Sequence, residues 1–334
     1  DNPVVKAWLP DEGYLDSDKL GKVDETAQYM PSRPVHEDSE GHTPLHHLDI
    51  GTVKWWIDNE QAGKVSGTRF SYLKGDLVLL QYAIQRLMFD ELISRGFEPI
   101  IPPLIVKWRS LYSTSHFPEQ VDQVYEIKTD YVEEKDPIYL VGSSEPSNFS
   151  YFMDRTLDGS SLPQKVFAYT PCFRSEAGSW WRDTKGIKRL HQFDKIEMNV
   201  VCRPDQSQEI FDELLSVNEW LLQQLQLPYH LVQKCTSDAG YHASAQQIDP
   251  EVWLGGQQEF MEVMTDTNTT DYQARRFNIK YKDSDGKKHF CHTLNDTGVA
   301  MWRMLIAIID NYQQSDGSVK VPEVLQKYVG KDRI

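Results

Sequence analysis

Residues 168–176, AYTPCFRSE, and residues 191–197, HQFDKIE, decide the reading of this chain. Each adjoins an apolar run, Lys165–Thr170 and Arg189–Val200, whose alternation is that of a strand. Between them Ser175–Lys188 is polar, contains glycine and has no period. The pair reads as two antiparallel strands joined by a long loop. Residues two apart in a strand share a face. His191, Phe193, Lys195 and Glu197 then line one face, and Gln192, Asp194 and Ile196 the other. Arg174 and Glu176 share a face if the first strand continues that far. An aromatic ring thus stands beside ionisable groups, under a loop that carries Arg182, Lys185, Lys188 and Arg189. Forked arginine donors in such a loop suit a polyphosphate. The same charges also suit a solvated hairpin with surface ion pairs.

Outward from this hairpin the pattern is mixed. Asp76–Ser94 carries Leu77, Leu80, Ala83, Ile84, Leu87 and Leu92 at helical spacing, with Gly96 as its stop. Thr52–Ala62 reads as a shorter helix ending at Gly63. Phe97–Ile101 reads as a strand stopped by Pro102 and Pro103. Ile138–Val141, Tyr229–Gln233, Gln258–Val263 and Phe277–Lys282 read as further short strands. Asp205–Leu225 is an amphipathic helix, and Thr297–Tyr312 a nearly wholly apolar, buried final one. Antiparallel strands with helices before, within and after them give an α+β fold. Neither G-x-G-x-x-G nor G-x-x-x-x-G-K-[ST] occurs, so a dinucleotide fold or P-loop has no support.

Composition removes other classes. Of 334 residues, 40% are apolar, enough for a sizeable core. Fifty acidic against 35 basic residues give a formal charge of -15, which disfavours a bare basic nucleic-acid module but allows a local basic patch. No apolar stretch approaches the length of a membrane span, and the opening DNPVVKAWLPDEG has no signal-peptide core. Cys172, Cys202, Cys235 and Cys291 form no C-x-x-C pair, so neither a disulfide scaffold nor a zinc knuckle is expected. A reduced, cytoplasmic protein is the expectation.

Three more stretches hold charge in apolar surroundings. Glu259-Phe-Met-Glu262, followed by Thr265, Asp266, Thr267 and Asn268, offers hard oxygen ligands for a divalent cation, or a capped polar loop. His292–Gly298 leads into the apolar helix, with Thr297 as its expected cap. Arg303 is the lone charge between Thr297 and Ile309 and needs a carboxylate or a phosphate as partner. Ser143-Ser144-Glu145, at a strand end, fits an amine-bearing ligand or a helix cap. His46, His47 and His242 read as packing or surface groups.

Taken together, these stretches resemble the catalytic domain of the seryl-tRNA synthetase family, within the class II aminoacyl-tRNA synthetases. HLDIG and KVSGTRF (47–51, 64–70) resemble the family's entry to its core, GFEPIIPP (96–103) its motif 1, and the hairpin its motif 2. YQARR (272–276), HTLNDTG (292–298) and the run at 310–325 resemble its C-terminal third, with motif 3. The resemblance implies an antiparallel sheet flanked by helices, bent ATP, Mg²⁺, a homodimer through motif 1, and tRNA(Ser) as acceptor. It assigns Arg174 to the α-phosphate and the serine carboxylate, Glu176 and Phe193 to adenine, and Arg182 and Arg303 to the outer phosphates. Glu262 falls to the metal and phosphates. Ser143 and Glu145 fall to the serine ammonium, and Glu197, Asn295 and Thr297 to its side chain. Residues 1–45 correspond to an extension and linker to a coiled-coil arm, and 46–334 to the catalytic domain.

The chain departs from the family pattern near the implied pocket: Gly142-Ser143-Ser144, Trp180-Trp181, Thr265–Asn268 and Trp302 stand where other residues are usual. No heptad run for the arm is present. A catalytic-domain fragment is the expectation. An armless paralogue loading serine, glycine or alanine onto a carrier protein and an inactive synthetase-like binding protein are the alternatives.

Overall fold

The two decisive stretches form long neighbouring strands in the computed structural model, which describes residues 2–37, 43–128, 136–177, 186–238 and 244–334. The elements that position the site begin with β1 (Val4–Leu9), β2 (Gly13–Tyr14), α1 (Asp76–Ser94), β3 (Glu98–Pro99), α2 (Glu145–Ser150), β4 (Gln164–Phe173) and β5 (Gln192–Cys202). They continue with α3 (Ser207–Gln224), β6 (Tyr229–Gln233), β7 (Gln246–Leu254), β8 (Glu259–Glu262), β9 (Asp266–Asn268), α4 (Tyr272–Phe277), β10 (His292–Ala300) and α5 (Met301–Tyr312).

β4 and β5 pair antiparallel from Gln164↔Val201 to Phe173↔Gln192. They belong to a 10-stranded sheet in the order β2-β1-β6-β7-β9-β10-β5-β4-β3, with β8 paired to β7. Among the described residues its neighbours are all antiparallel except β3 and β4. Period-2 alternation divides β5. Ile196, Met198, Val200 and Cys202 enter the main core with residues of α1, α3 and α5. Phe193, Lys195 and Glu197 face the other way and line a cavity. One face of the sheet therefore carries the apolar helices and the other is left for chemistry.

The expected helix over Asp76–Ser94 has those bounds, and Gly96 supplies the left-handed φ of 81° that ends it. Elsewhere the pattern misleads. Thr52–Ala62 is not one helix. His47–Val53 and Asn59–Ser66 are separate, split by Ile57–Asp58, which pairs with Tyr72–Leu73. Asp58 accepts from Gln61 N and starts the second helix, whose stop is Gly67 and not Gly63. Residues 272–277 are helical, so the strand expected from Phe277 begins only at Lys280. β7 has no simple strand signature because Pro250 sits in its middle, where the carbonyl still accepts from Val263 N at 3.1 Å. Thr297 does not cap a helix. It lies within β10, and the helix starts at Met301 after Ala300. Nor is that helix the last, since Glu323–Val329 forms another.

Candidate active site

A cavity of about 860 Å³ lies against the free face of the sheet. Ser143, Glu145, Arg174, Glu176, Phe193, Glu197, Glu262, Asn295, Thr297 and Arg303 all line it. Arg182, the remaining residue singled out from the sequence, lies outside the described residues, as do Trp180, Trp181 and His242.

The first group gathers at the end of β4. The strand stops at Phe173, and Arg174 Nε donates to Gly142 O at 3.1 Å. Its guanidinium sits 5.4 Å from the Phe193 ring centroid. A cation is thus held against the aromatic face beside open space. Glu176 does not continue the strand. Its φ is 52°, and its carboxylate receives Arg189 Nη1 at 2.7 Å. The positive φ re-aims the carboxylate, and the expected shared face with Arg174 gives way to a turn. The far end of the connecting segment is pinned by His47, whose Nε2 accepts from Ile187 N at 3.3 Å. Burial pushes that imidazole down to about 3, helped by His46 and Lys188, so it stays a neutral acceptor.

The second group is buried. Glu145 heads α2, takes a hydrogen bond from Gln273 Nε2 at 2.8 Å, and is buried at the cavity wall. Burial, then the Glu197 charge, pushes its carboxyl up to about 7. Ser143 Oγ accepts from Glu145 N at 3.3 Å and fixes the start of that helix. Glu197 pairs with Lys195 Nζ at 2.6 Å, and Thr297 Oγ1 donates to Glu197 at 3.4 Å. Lys195 was visible in the sequence as a member of the ionisable face. Its position two residues from both Phe193 and Glu197 was the signal that places it in the site.

The third group is an acidic wall. Arg303 Nη1 donates to Glu262 O at 2.8 Å and to Glu262 Oε1 at 3.1 Å. The partner demanded by a lone arginine on an apolar helix is therefore a carboxylate. Asp249 of β7 lines the same cavity. Burial and the Glu262 charge push its carboxyl up to about 6, while Gln247 and Lys234 oppose the rise. Sequence reasoning missed Asp249 because Pro250 hides its strand. Among the described residues no cluster of three or more His, Cys, Asp or Glu side chains could hold a metal ion. Two mutually repelling carboxylates do fit a hard divalent cation whose other ligands come from a substrate and water.

The cavity thus offers a guanidinium and an aromatic face, a second arginine against an acidic wall, and a buried carboxylate-hydroxyl pocket. Such a set suits a triphosphate nucleotide beside a small amine-bearing ligand.

Known proteins share this fold. Residues 125–312 match the model of the tRNA synthetase class II core domain (G, H, P, S and T). A serine–tRNA ligase of Bdellovibrio bacteriovorus is 42% identical over 285 residues, covering 85% of this chain and 64% of that protein. Seryl-tRNA synthetase from Pyrococcus horikoshii, solved complexed with ATP, superposes with a TM-score of 0.88 at 35% identity, over 100% of this chain and 72% of that one. The cytoplasmic serine–tRNA ligase from Naegleria fowleri, solved with AMP, gives 0.86 at 32% identity, again over 100% and 72%. The chain thus spans somewhat under two thirds of the Bdellovibrio relative's length.

Proposed function

Because the chain belongs to the seryl-tRNA synthetase family of class II aminoacyl-tRNA synthetases, we propose that it activates L-serine with ATP to seryl adenylate and transfers the seryl group to the 3′ end of tRNA(Ser). The carrying observation is the single cavity that joins Arg174, Phe193 and Arg303 to the buried Glu145, Glu197 and Thr297.

The serine carboxylate attacks the α-phosphorus in line and pyrophosphate leaves. No protein nucleophile is needed, so catalysis is positioning and charge stabilisation. Phe193 stacks on adenine, with Glu176 at its edge. Arg174 bridges the α-phosphate and the serine carboxylate, which the guanidinium's forked donors suit. Arg303 releases Glu262 and takes the γ-phosphate, with Arg182 on the outer phosphates. Glu145 and Ser143 take the serine ammonium; Glu197, Asn295 and Thr297 surround its side chain. A hydroxyl-bonding pocket disfavours alanine, whose binding leaves buried polar groups unmet. Glu262, with Asp249 beside it, would hold Mg²⁺, which would supply charge screening between the reacting anions.

Two further proposals concern assembly. A homodimer through residues 96–103 is supported by Ile101, which is fully exposed beside the short edge strand β3. Cytoplasmic residence is supported by the four free cysteines.

The test is ATP–pyrophosphate exchange with each of the twenty amino acids in the presence of Mg²⁺. Exchange with serine alone is expected. Exchange with glycine or alanine instead, or with none in folded protein, overturns the reading.

A further inference from the structure

Lys195 is a lysine only 6% exposed, set in the wall of the cavity. A buried ammonium is costly unless paired and hydrogen-bonded. Its ion pair with Glu197 Oε2 spans 2.6 Å, and Nζ donates to Thr297 Oγ1 at 3.3 Å. Thr297 Oγ1 lies 3.4 Å from the same Glu197 oxygen. Three polar groups from two strands thus close a triangle. A register shift between Ile196 and Glu197 sets Glu197 opposite Thr297.

The direction of the protons follows from the donor inventory. An ammonium only donates, so Thr297 Oγ1 accepts from Lys195. The single threonine proton is then directed to Glu197 Oε2. That oxygen is occupied twice, by an ammonium and a hydroxyl. Oε1 of Glu197 has no partner among the described residues. It remains as the acceptor for a hydroxyl arriving in the cavity.

We propose that Lys195 is a positioning residue for the hydroxyl of the amino-acid substrate: it locks Thr297 and Glu197 into one orientation that presents Glu197 Oε1 as the acceptor. The inference rests on serine being the substrate. Lys195 also belongs to the charge balance of the pocket. Glu145 on α2, Glu197 on β5, Arg174 at the end of β4 and Asp296 on β10 surround it, with the Cys172 thiol of β4 nearby. Among these, Lys195 and Arg174 favour the ionised form of Glu145, and Glu197 opposes it.

The experiment is serine- and ATP-dependent exchange across a pH series for the wild type, Lys195→Met, Lys195→Arg and Thr297→Val. Lys195→Met is expected to raise the serine KM on the order of 10- to 100-fold, the loss of a charged hydrogen bond, with the ATP KM near that of the wild type. The pH midpoint of its serine KM moves upward, because Glu145 loses a neighbouring cation. Lys195→Arg restores part of both. Thr297→Val raises the serine KM while the pH midpoint stays, because the ammonium remains. A Lys195→Met enzyme with wild-type serine KM and pH midpoint overturns the inference. So does one whose serine and ATP KM rise together, as a merely structural lysine requires. If Lys195→Met does not fold, Thr297→Val with a wild-type serine KM overturns it equally. Absence of serine exchange in the wild type instead refutes the substrate reading itself.

Discussion

Glu145 makes the sharpest prediction about how this site responds to pH. Burial is the main cause that lifts its carboxyl from 4.5 to about 7, with the Glu197 charge second. The displacement corresponds to roughly 3 kcal/mol in favour of the neutral form. A serine ammonium needs the anion, so binding must drive off a proton wherever Glu145 is neutral. At pH 6 roughly one tenth of the free enzyme carries the anion, and at pH 8 roughly nine tenths. The serine KM, measured by ATP–pyrophosphate exchange at saturating ATP, should therefore stand about tenfold higher at pH 6 than at pH 8. Glu145→Gln should raise it at every pH and remove the slope. The same group makes a second, independent demand. Its folded pKa is raised, so its contribution to stability is fully present below about 4.5 and is lost as pH rises through about 7. Serine restores part of that loss by supplying a cation. The thermal shift caused by serine should be larger at pH 8 than at pH 6. A serine KM flat between pH 6 and pH 8, or a slope retained in Glu145→Gln, refutes the reasoning.

Other outcomes can be checked alongside it. Arg303→Ala should lower kcat/KM for ATP by about 10²–10³-fold while leaving the serine KM nearly unchanged, and Arg303→Lys should recover little because an ammonium lacks the fork. Equal loss for both substrates in steady-state kinetics contradicts this. Asp266 and Asp296 face each other across β9 and β10, fully buried, and burial first and mutual charge second hold the Asp266 carboxyl well above the usual range. Asp266→Asn should raise the Tm at pH 8 and flatten its fall with rising pH, as followed by thermal denaturation at several pH values; an unchanged slope contradicts it. Gln81 Nε2 donates to both Tyr169 OH and Asp194 Oδ2 at 2.9 Å. Gln81→Met should cost about 1 kcal/mol in urea unfolding, because two half-buried acceptors lose a donor; an unchanged midpoint would show the pair to be solvated.

How much of this was legible in the sequence depends on which physical signal each element carried. β5 was readable because its two faces differ, with Ile196, Met198 and Val200 toward the helices and Phe193, Lys195 and Glu197 toward the cavity, and β4 because its apolar run pairs with it. α1 was readable because its apolar stripe, opening turn and stopping glycine all agree. Thr297 was misassigned as a cap because β10 and α5 meet in a continuous apolar run, Val299 to Met301. Over so few residues a period of 2 cannot be told from 3.6. Ala300, which stands at that boundary, makes no side-chain cap bond and gives no warning. Asp249 was invisible for another reason: Pro250 argues against a strand, yet β7 keeps its ladder on both sides of it. The acidic wall was therefore half read, with Glu262 found and its neighbour missed. The break between the two short helices was written in Asp58, an N-cap residue read through as helix interior.

The buried charges explain why one sheet can respond to pH in two separate ways. On the cavity face Glu145 and Glu197 are buried together with Lys195, so acids and a cation offset one another, and an incoming ammonium completes the balance. On the helix face Asp266 and Asp296 form no ion pair among the described residues. Asn218 donates to Asp296 at 2.8 Å, and no side chain donates to Asp266 among the described residues. Burial is the main cause that holds both carboxyls well above the usual range. The helix-face pair therefore weakens folding as pH rises, whether or not substrate is present. Serine offsets part of the cavity-face acid's contribution to that loss. Asp296 also feels Glu197 and Lys195 across the thickness of the sheet, so the two faces are not fully independent. Serine should therefore raise the Tm of the Asp266→Asn variant and of the wild type by similar amounts at pH 8, and it should leave the Tm of Glu145→Gln nearly where it was. If instead Asp266→Asn abolishes the serine-dependent shift, the helix-face pair acts through the site, and the division between the two faces fails.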